Sequence, residues 1–395
     1  MDFRRLFFFR KYRNIILLIL LLFSLSGNIV FFLADGVTKL RLRELNKKNN
    51  TIYPMCNSIE EFRKQVRDVN LNLLLTEKRP EAPIFPDGIV DRIKYNLGFI
   101  NNNYPFFYWG EPNWLLVATL EDAILHNDKK SIIELEGLFK RSIENTPIDH
   151  VDQCMSGGAA ILLHQQTGNR RYKDYADKML KWCIEHDTNY GILYRTGDAQ
   201  LIDGYGMFLP FLNRYAKAYN DSVAMNLATK QVKIAIKYLV DPIGGIPVHG
   251  FSLFDSHYKQ GNCNFGRGIS WLLSGLIDFD YSTLNSSQLE TICKMDQTLL
   301  YIFYNYHQFN QFVGESGRID LTANLPILYY LVSKGQIQIK DEKILEYSKC
   351  SDKGLLYNSS ASTSGKYFYS QNFGPNVLSQ AFMLKLLNER NKKHE

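Results

Sequence analysis

The sequence lacks the short motifs of common nucleophilic, metal-dependent and cofactor-dependent enzymes. It contains no GxSxG, no HExxH, no P-loop and no GxGxxG. Its six cysteines lie far apart, with no CxxC pair and no histidine at zinc-ligand spacing, which disfavours both a structural metal and a disulfide scaffold. We therefore expect neither a metal nor a cofactor, and hydrolysis by paired carboxylates is the chemistry that remains.

The chain also has little excess charge. Its formal net charge is +6 over 395 residues and is concentrated near the N-terminus, so we expect no nucleic-acid partner, whereas a mild preference for acidic ligands stays open. Aromatic residues are abundant, with 24 Tyr and 25 Phe. Such residues suit a groove that stacks sugars, or they simply fill a core.

The N-terminus predicts a membrane anchor. The uncharged segment 14–34 follows a basic tail that contains Arg4, Arg5, Arg10, Lys11 and Arg13. Because roughly 20 apolar residues at ~1.5 Å rise match the ~30 Å hydrocarbon layer, we expect one transmembrane helix rather than a shorter, cleaved signal peptide. The basic tail 1–13 should then be cytoplasmic and the remaining chain extracytoplasmic, although basic residues also follow the span.

The organisation beyond the anchor is predicted to be helical. Residues 35–57 are polar and indicate a linker, and 58–395 is most economically one domain. Apolar residues recur at helical spacing, and no stretch alternates strongly enough to require a sheet. The junctions LHNDKKS, QTGNRRY and YNDSVA recur about every 40 to 50 residues, which predicts stacked helical hairpins that form an open solenoid or a closed toroid. Long aromatic connectors such as NNNYPFFYWG favour the toroid, because such loops could build a pocket at one rim.

Two aspartates stand directly before predicted helices. Asp152 lies in IDHVDQCMSGGAAILL, and Asp203 lies in LIDGYGMFLPFL beside Gly204 and Gly206, which would leave space for a ligand. Aspartate is also a favoured helix N-cap. Capping and catalysis are therefore both open interpretations of each residue.

Four segments, in this order, resemble glycoside hydrolase families 88 and 105. They are DQCMSGGAAILLHQQTGNRRYKDYA, LIDGYGMFLPFLNRYAKAY, NFGRGISWLLSGLIDF and GESGRIDLTANLPILYYLV, which together span about 149–331. The resemblance implies an all-α (α/α)6 barrel, a six-hairpin toroid, that acts without a metal on unsaturated uronyl oligosaccharides. This chain departs from the family pattern at Phe265 and at Ser270, which replaces a glycine and is expected to narrow the site.

The resemblance also implies roles for five residues. Asp203 matches the general acid/base and Asp152 the second essential aspartate. His249 matches a pocket histidine, and Arg267 and Trp271 match residues that line the sugar site. The implied reaction is hydration of the enol ether between carbons 4 and 5 of the unsaturated uronate, which begins with proton transfer from Asp203 to carbon 4.

Three functions remain open at this point. The first is the hydrolysis of unsaturated glycuronyl ends of an acidic oligosaccharide. The second is an (α/α)6 hydrolase or lyase that acts on a saturated acidic polysaccharide during capsule or exopolysaccharide metabolism. The third is a noncatalytic, membrane-tethered glycan-binding protein of the same fold.

Overall fold

Helices make up most of the described chain. The structure is a computed structural model that describes residues 22, 24–81, 89–97, 105–254, 256–361, 363 and 369–391. Contacts divide the chain into two units, one of 48–82 with 104–395 and another of 1–47 with 83–103. The larger unit includes residues 48–57 in addition to most of the domain predicted as 58–395, and it excludes the internal segment 83–103.

An inner ring of helices forms the larger unit's centre. Each inner helix contacts the next along the chain, and the last contacts the first. The ring comprises Gly110–Leu125, Cys154–Thr167, Tyr205–Tyr219, Gly266–Leu276, Leu321–Ser333 and Val377–Asn391. Every residue of Gly266–Leu276 is buried, as expected for a helix surrounded by protein on all sides. This closed ring agrees with the predicted toroid and not with an open solenoid.

Outer helices alternate with the inner ones along the chain. They are Ile59–Leu75, Lys129–Ser142, Arg170–Glu185, Ser222–Tyr238, Ser286–Tyr306 and the short Asp341–Leu345. The three predicted junctions are confirmed, because Asp128, Asn169 and Asp221 each cap the outer helix that follows them. Gly168 and Asn220 end the preceding inner helices in the left-handed conformation.

Short strands are the main departure from the all-α prediction. Arg195–Thr196, Ala199–Leu201, Gly250–Ser252 and Lys259–Gln260 form a four-stranded antiparallel sheet. Three strand pairs are two-stranded: Asp187–Thr188 with Gly191–Ile192, Ser351–Asp352 with Leu355–Leu356, and Ser359–Ser360 with Phe373–Gly374. With two or three residues each, they are too short to show the alternation by which strands are recognised in sequence.

Short helical turns complete the larger unit. They are the 3-10 helices Phe106–Tyr108, Val151–Gln153, Ile202–Gly204, Tyr281–Thr283 and Glu346–Cys350. The first three directly precede, or nearly precede, the first residues of consecutive inner helices. The connectors that lead into these helices therefore lie at one end of the ring.

The opposite end of the ring carries a charged contact between three inner helices. Glu121 accepts hydrogen bonds from Arg214 through one carboxylate oxygen and from Lys385 through the other. Arg214 and Glu121 belong to helices that are separated in the ring by Cys154–Thr167. This triad therefore links helices that are not neighbours in the ring.

The smaller unit contains helix where a linker was predicted. The π-helix Phe32–Gly36 continues into Val37–Asn50, and Ile89–Asn96 is also helical. The segment 35–57, predicted as a linker, is thus helical over 37–50, where lysine, arginine and leucine are good helix formers; its role as a linker stays a prediction. Of the predicted anchor 14–34, residues 14–21 and 23 lie outside the described residues. In the described part of the chain, no helix is both long and apolar enough to cross a membrane, so the anchor gains no support.

Candidate active site

The two predicted aspartates lie in equivalent positions on neighbouring inner helices. Asp152 belongs to the 3-10 helix Val151–Gln153, directly before Cys154–Thr167, and Asp203 belongs to Ile202–Gly204, directly before Tyr205–Tyr219. These two inner helices contact each other. Burial raises the pKa of the Tyr194 hydroxyl, and the charges of Asp152 and Asp203 both act in the same direction. The structure therefore brings Asp152 and Asp203 together at one end of the ring.

Neither carboxylate caps a helix in the described structure. The helix after Asp152 starts at Cys154 without a side-chain cap, and the helix after Asp203 starts at Tyr205, also without one. The cap of the turn that contains Asp152 is His150. This geometry removes the capping interpretation, because aspartate caps accept from backbone N–H groups two or three residues further on.

Asp203 is held by a buried histidine. Nε2 of His249 lies 3.0 Å from Oδ2 of Asp203, and Nδ1 of His249 lies 3.1 Å from the hydroxyl of Tyr369. The backbone N–H of Asn262 donates to the same hydroxyl at 2.9 Å. The tyrosine hydrogen is thus available for Nδ1, which leaves the Nε2 hydrogen of a neutral His249 pointing at Asp203. The Asp203 side chain is 14% exposed whereas that of His249 is fully buried.

Asp152 is more deeply buried and is paired with a different histidine. Burial raises the pKa of Asp152 to about 6, and the charges of Glu111 and Asp203 act in the same direction, against the lowering effect of His150. Oδ1 of Asp152 has no hydrogen-bond partner among the described residues. In this setting Asp152 keeps a proton up to a higher pH than an exposed aspartate does, and is ionised above about pH 6.

His150 was missed in the sequence, although it stands two residues before Asp152. Its Nδ1 lies 3.4 Å from Oδ2 of Asp152 and accepts the backbone N–H of Asp152 at 3.3 Å. Burial lowers the pKa of His150, but the hydrogen bond and charge of Asp152 outweigh it and raise the pKa overall. A neutral His150 accepts the N–H, whereas a protonated one can donate to the carboxylate.

Aromatic rings surround the exposed edge of His150. Its ring stacks on Tyr108 with centroids 5.2 Å apart and meets Tyr194 edge to face at 5.7 Å. Trp109 contacts both Tyr108 and His150. Tyr108 and Trp109 come from the connector NNNYPFFYWG, which was expected to build the rim. This aromatic wall offers faces on which a sugar ring can pack.

An arginine with two carboxylates borders the same region. Arg79 lies 2.8 Å from Glu81 and 3.3 Å from Glu111, and its guanidinium is 5.7 Å from the Trp109 ring centre. These carboxylates raise the pKa of Arg79 against the effect of burial. Arg79 and Glu81 lie in EKRPEAP, which carries no periodicity or motif, so no signal in the sequence pointed to them.

Arg267 is buried at the same end of the ring and is bonded to neighbouring loops. Its Nε donates to Thr322 at 3.0 Å, and its Nη2 donates to the carbonyl and hydroxyl of Ser360. Asp320 accepts from both of these hydroxyls. Burial raises the pKa of Glu81, and the charge of Arg267 partly opposes this, so the field of Arg267 reaches Glu81. A contact of Arg267 with sugar stays a prediction.

Trp271 is buried in the core of the ring, and its contact with sugar stays a prediction. It is 2% exposed, and a Cβ added to Gly206 would fall 2.5 Å from its Cε3 atom. A Cβ on Gly204 would similarly meet Tyr194 at 2.7 Å. The expectation that these glycines leave space for a ligand is therefore wrong, since protein side chains fill that space.

Ser270 is also placed differently from the expectation. It is fully buried, and its hydroxyl lies within hydrogen-bond distance of the carbonyls of Arg267 and Thr322. Ser270 therefore joins two inner helices and does not narrow the site. Among the described residues, no group of three or more His, Cys, Asp or Glu side chains could hold a metal ion.

Comparisons of sequence and fold support a glycoside hydrolase with a ring of helices. Residues 115–299 match the family model described as Glycosyl Hydrolase Family 88. Over this part of the chain the sequence is thus similar to that family, which agrees with the resemblance noted in its motifs. No curated protein matches it in sequence.

Solved structures share the fold at low sequence identity. A possible member of the GH105 family from Salmonella enterica is 18% identical, with a TM-score of 0.66 over 87% of this chain and 97% of that one. A possible GH105 member from Klebsiella pneumoniae is 16% identical, with a TM-score of 0.65 over 87% and 96%. Unsaturated glucuronyl hydrolase from Bacillus sp. GL1 is 13% identical, with a TM-score of 0.62 over 85% and 97%. These likenesses concern the fold.

Proposed function

We propose that the protein hydrolyses unsaturated glycuronyl oligosaccharides by hydration of their enol ether within an (α/α)6 toroid. The observation that carries the proposal is the pair Asp152 and Asp203, which lie together at one end of the ring without capping a helix. A carboxyl pair of unequal burial can supply a proton donor and a neighbouring charge to the same substrate.

Asp203 is the proton donor in this proposal because it matches the general acid/base of the families that the sequence resembles, and its side chain is the more exposed of the two. Protonated Asp203 transfers its hydrogen to carbon 4, and the positive charge develops at carbon 5 and the ring oxygen. The ionised form of Asp152 stabilises that charge. Water then adds to carbon 5 while Asp203 takes up the water proton, and the resulting hemiketal opens to release the neighbouring sugar.

The surroundings of the pair fit an acidic sugar. Tyr108, Trp109 and Tyr194 provide ring faces beside His150, and a protonated His150 would place a positive charge next to the substrate carboxylate. Arg267 supplies a second, more distant positive charge, and His249 fixes the orientation of Asp203. Neither a metal nor a cofactor takes part in this mechanism.

The test is direct. The protein is incubated with oligosaccharides produced by polysaccharide lyases, and the loss of the enol-ether absorbance is followed together with the release of the neighbouring sugar. Absorbance loss with sugar release is the expected result. Release of reducing ends from the saturated polysaccharide, with the absorbance of the unsaturated oligosaccharide unchanged, would instead support the alternative hydrolase. Binding without any product would leave the noncatalytic function.

The location of the protein stays a prediction. A basic tail before an uncharged segment is typical of an exported or anchored protein, and an extracytoplasmic site would suit a polysaccharide-derived substrate. Protease added to intact cells should then cleave the larger unit. Full protection of that unit would contradict the predicted location.

A further inference from the structure

A groove with a row of lysines lies between two outer helices, outside the carboxylate site. It has a volume of about 660 Å³ and runs between Ser222–Tyr238 and Ser286–Tyr306. Lys230, Lys233 and Lys237 line it from one helix, at spacings of three and four residues that place them on one face. The helix Ser222–Tyr238 contains no acidic residue, unlike the outer helix Arg170–Glu185.

Two of the three lysines are available to a ligand. Lys230 is bound to Asp187 at 2.6 Å, so its charge is largely neutralised. Lys233 and Lys237 are exposed and form no ion pair with any carboxylate in the described part of the chain. Glu290, on the facing helix, is bound to Lys294 at 3.3 Å instead. The groove therefore presents unneutralised positive charge over about one helical turn.

The remaining lining is rich in amides and hydroxyls. Asn189, Asn226, Asn285 and Gln288 line the groove together with Thr229 and Ser287. None of the described residues that line it is a carboxylate. Such side chains donate and accept hydrogen bonds in the manner that sugar hydroxyls require. The combination of lysine ammonium groups with amides fits an anionic saccharide chain better than an apolar partner.

The groove reaches the elements that hold the carboxylate site. Tyr238, at the end of its helix, stacks on Phe251 with ring centroids 4.8 Å apart and planes 19° apart. Phe251 lies in the strand Gly250–Ser252, which begins directly after His249. One end of the groove thus adjoins the strand that follows a histidine bonded to Asp203.

We propose that this groove binds an acidic polysaccharide, at a site separate from the carboxylate pair. The choice of saccharide rests on the proposed function, but binding itself does not require catalysis. The groove would hold a distant part of a long, uronate-bearing chain. A polyanion bound by several weak contacts gains affinity from their number, and this affinity falls as salt screens the charges.

The test compares two pairs of exposed lysines by binding to polygalacturonate. Lys233→Gln with Lys237→Gln removes the groove charge, whereas Lys64→Gln with Lys129→Gln removes two exposed charges from two other outer helices. We expect the groove pair to weaken binding by roughly 3- to 10-fold, as expected for two exposed charge contacts, and the control pair to leave it unchanged. Neutral dextran should not bind.

Several results would overturn the proposal. Equal weakening by both pairs would indicate unspecific attraction. Unchanged binding in the groove pair, or equal affinity for single-stranded DNA, would also contradict the proposal. Both pairs should turn over a short unsaturated oligosaccharide at the wild-type rate. If the wild-type protein shows no such turnover but binds polygalacturonate through the groove lysines, the proposed function is wrong and the groove is still a binding site.

Discussion

The imidazole of His150 lies 3.4 Å from the carboxylate of Asp152, two residues further along the chain. The pKa values of both His150 and Asp152 are raised. His150 contacts the aromatic wall on one side and Asp152 on the other. Because a charge on His150 favours the ionised form of Asp152, the protonation of the two residues is coupled.

His150→Gln should move the acidic limb of the pH profile. Removal of the imidazole takes away the group that lowers the pKa of Asp152, so this pKa should rise above about 6. If Asp152 must be ionised, the fall in kcat/KM at low pH will begin at a higher pH than in wild type. The control is His164→Gln, which lies in the last turn of the helix Cys154–Thr167, away from Asp152. Profiles of His150→Gln and wild type that coincide would show that His150 does not tune Asp152.

Asp203→Asn should abolish turnover and leave the fold intact. Loss of a general acid/base typically costs ~10² to 10⁴ in rate, whereas Asp203 makes no capping bond whose loss would destabilise a helix. Rates on the unsaturated oligosaccharide and melting temperatures are compared with those of Asp174→Asn, an exposed change on an outer helix. Retained turnover with a lower melting temperature would assign Asp203 a structural role.

Asp152→Asn should stabilise the protein at neutral pH while impairing turnover. A folded pKa of about 6, above the ordinary 3.8, means that the folded state binds more protons than the unfolded state between these values. Stability contributed by the protonated form is therefore lost as pH rises from about 4 to 6. Two pKa units correspond to about 3 kcal/mol, the upper limit of the gain expected in the variant.

The measurement for Asp152→Asn is urea unfolding at pH 4 and pH 8. The variant should exceed wild type in free energy of unfolding at pH 8, and the difference should shrink at pH 4. A variant that is less stable at both values would show that the native carboxylate makes stabilising bonds.

Tyr369→Phe should lower kcat without changing the fold. The hydroxyl links the backbone of Asn262 to Nδ1 of His249, and its loss frees the imidazole to place its hydrogen on either nitrogen. Because the variant loses about one hydrogen bond, we expect kcat to fall roughly tenfold. Tyr301→Phe, at an exposed position on an outer helix, is the control. Equal rates in both variants would remove Tyr369 from the positioning of Asp203.

Glu121→Gln should destabilise the ring without touching the chemistry. Burial would raise the pKa of Glu121, but Lys385 and Arg214 outweigh it and lower this pKa to about 2. The triad therefore stabilises the fold at pH values above the ordinary pKa of a glutamate, and this stabilisation is lost as the pH falls towards about 2. Removal of the charge leaves two cations without their partner and should cost about 2 to 4 kcal/mol at pH 7. Urea unfolding measures this. An unchanged midpoint would mean that solvent replaces the carboxylate.

The sequence was most informative where residues close in the chain act together. Asp152 and Asp203 could be found because each stands before a helix with a recognisable pattern, and the three helix junctions could be found from their capping residues. Arg79, Glu111 and Tyr369 could not, because they meet the aspartates only after the ring has closed. The contact between Trp271 and Gly206 could not be predicted for a similar reason, since the two residues lie on different helices.

Ring closure also sets conditions on how the protein is made. The first inner helix, Gly110–Leu125, packs against the last, Val377–Asn391, so their contact spans most of the polypeptide. During synthesis the face of Gly110–Leu125 that packs against Val377–Asn391 stays uncovered until that later helix has left the ribosome. A nonsense mutation anywhere before 377 should therefore yield an aggregating product and not a shorter enzyme. Even a truncated chain that still contains Asp152 and Asp203 would lack the closed ring that holds them together.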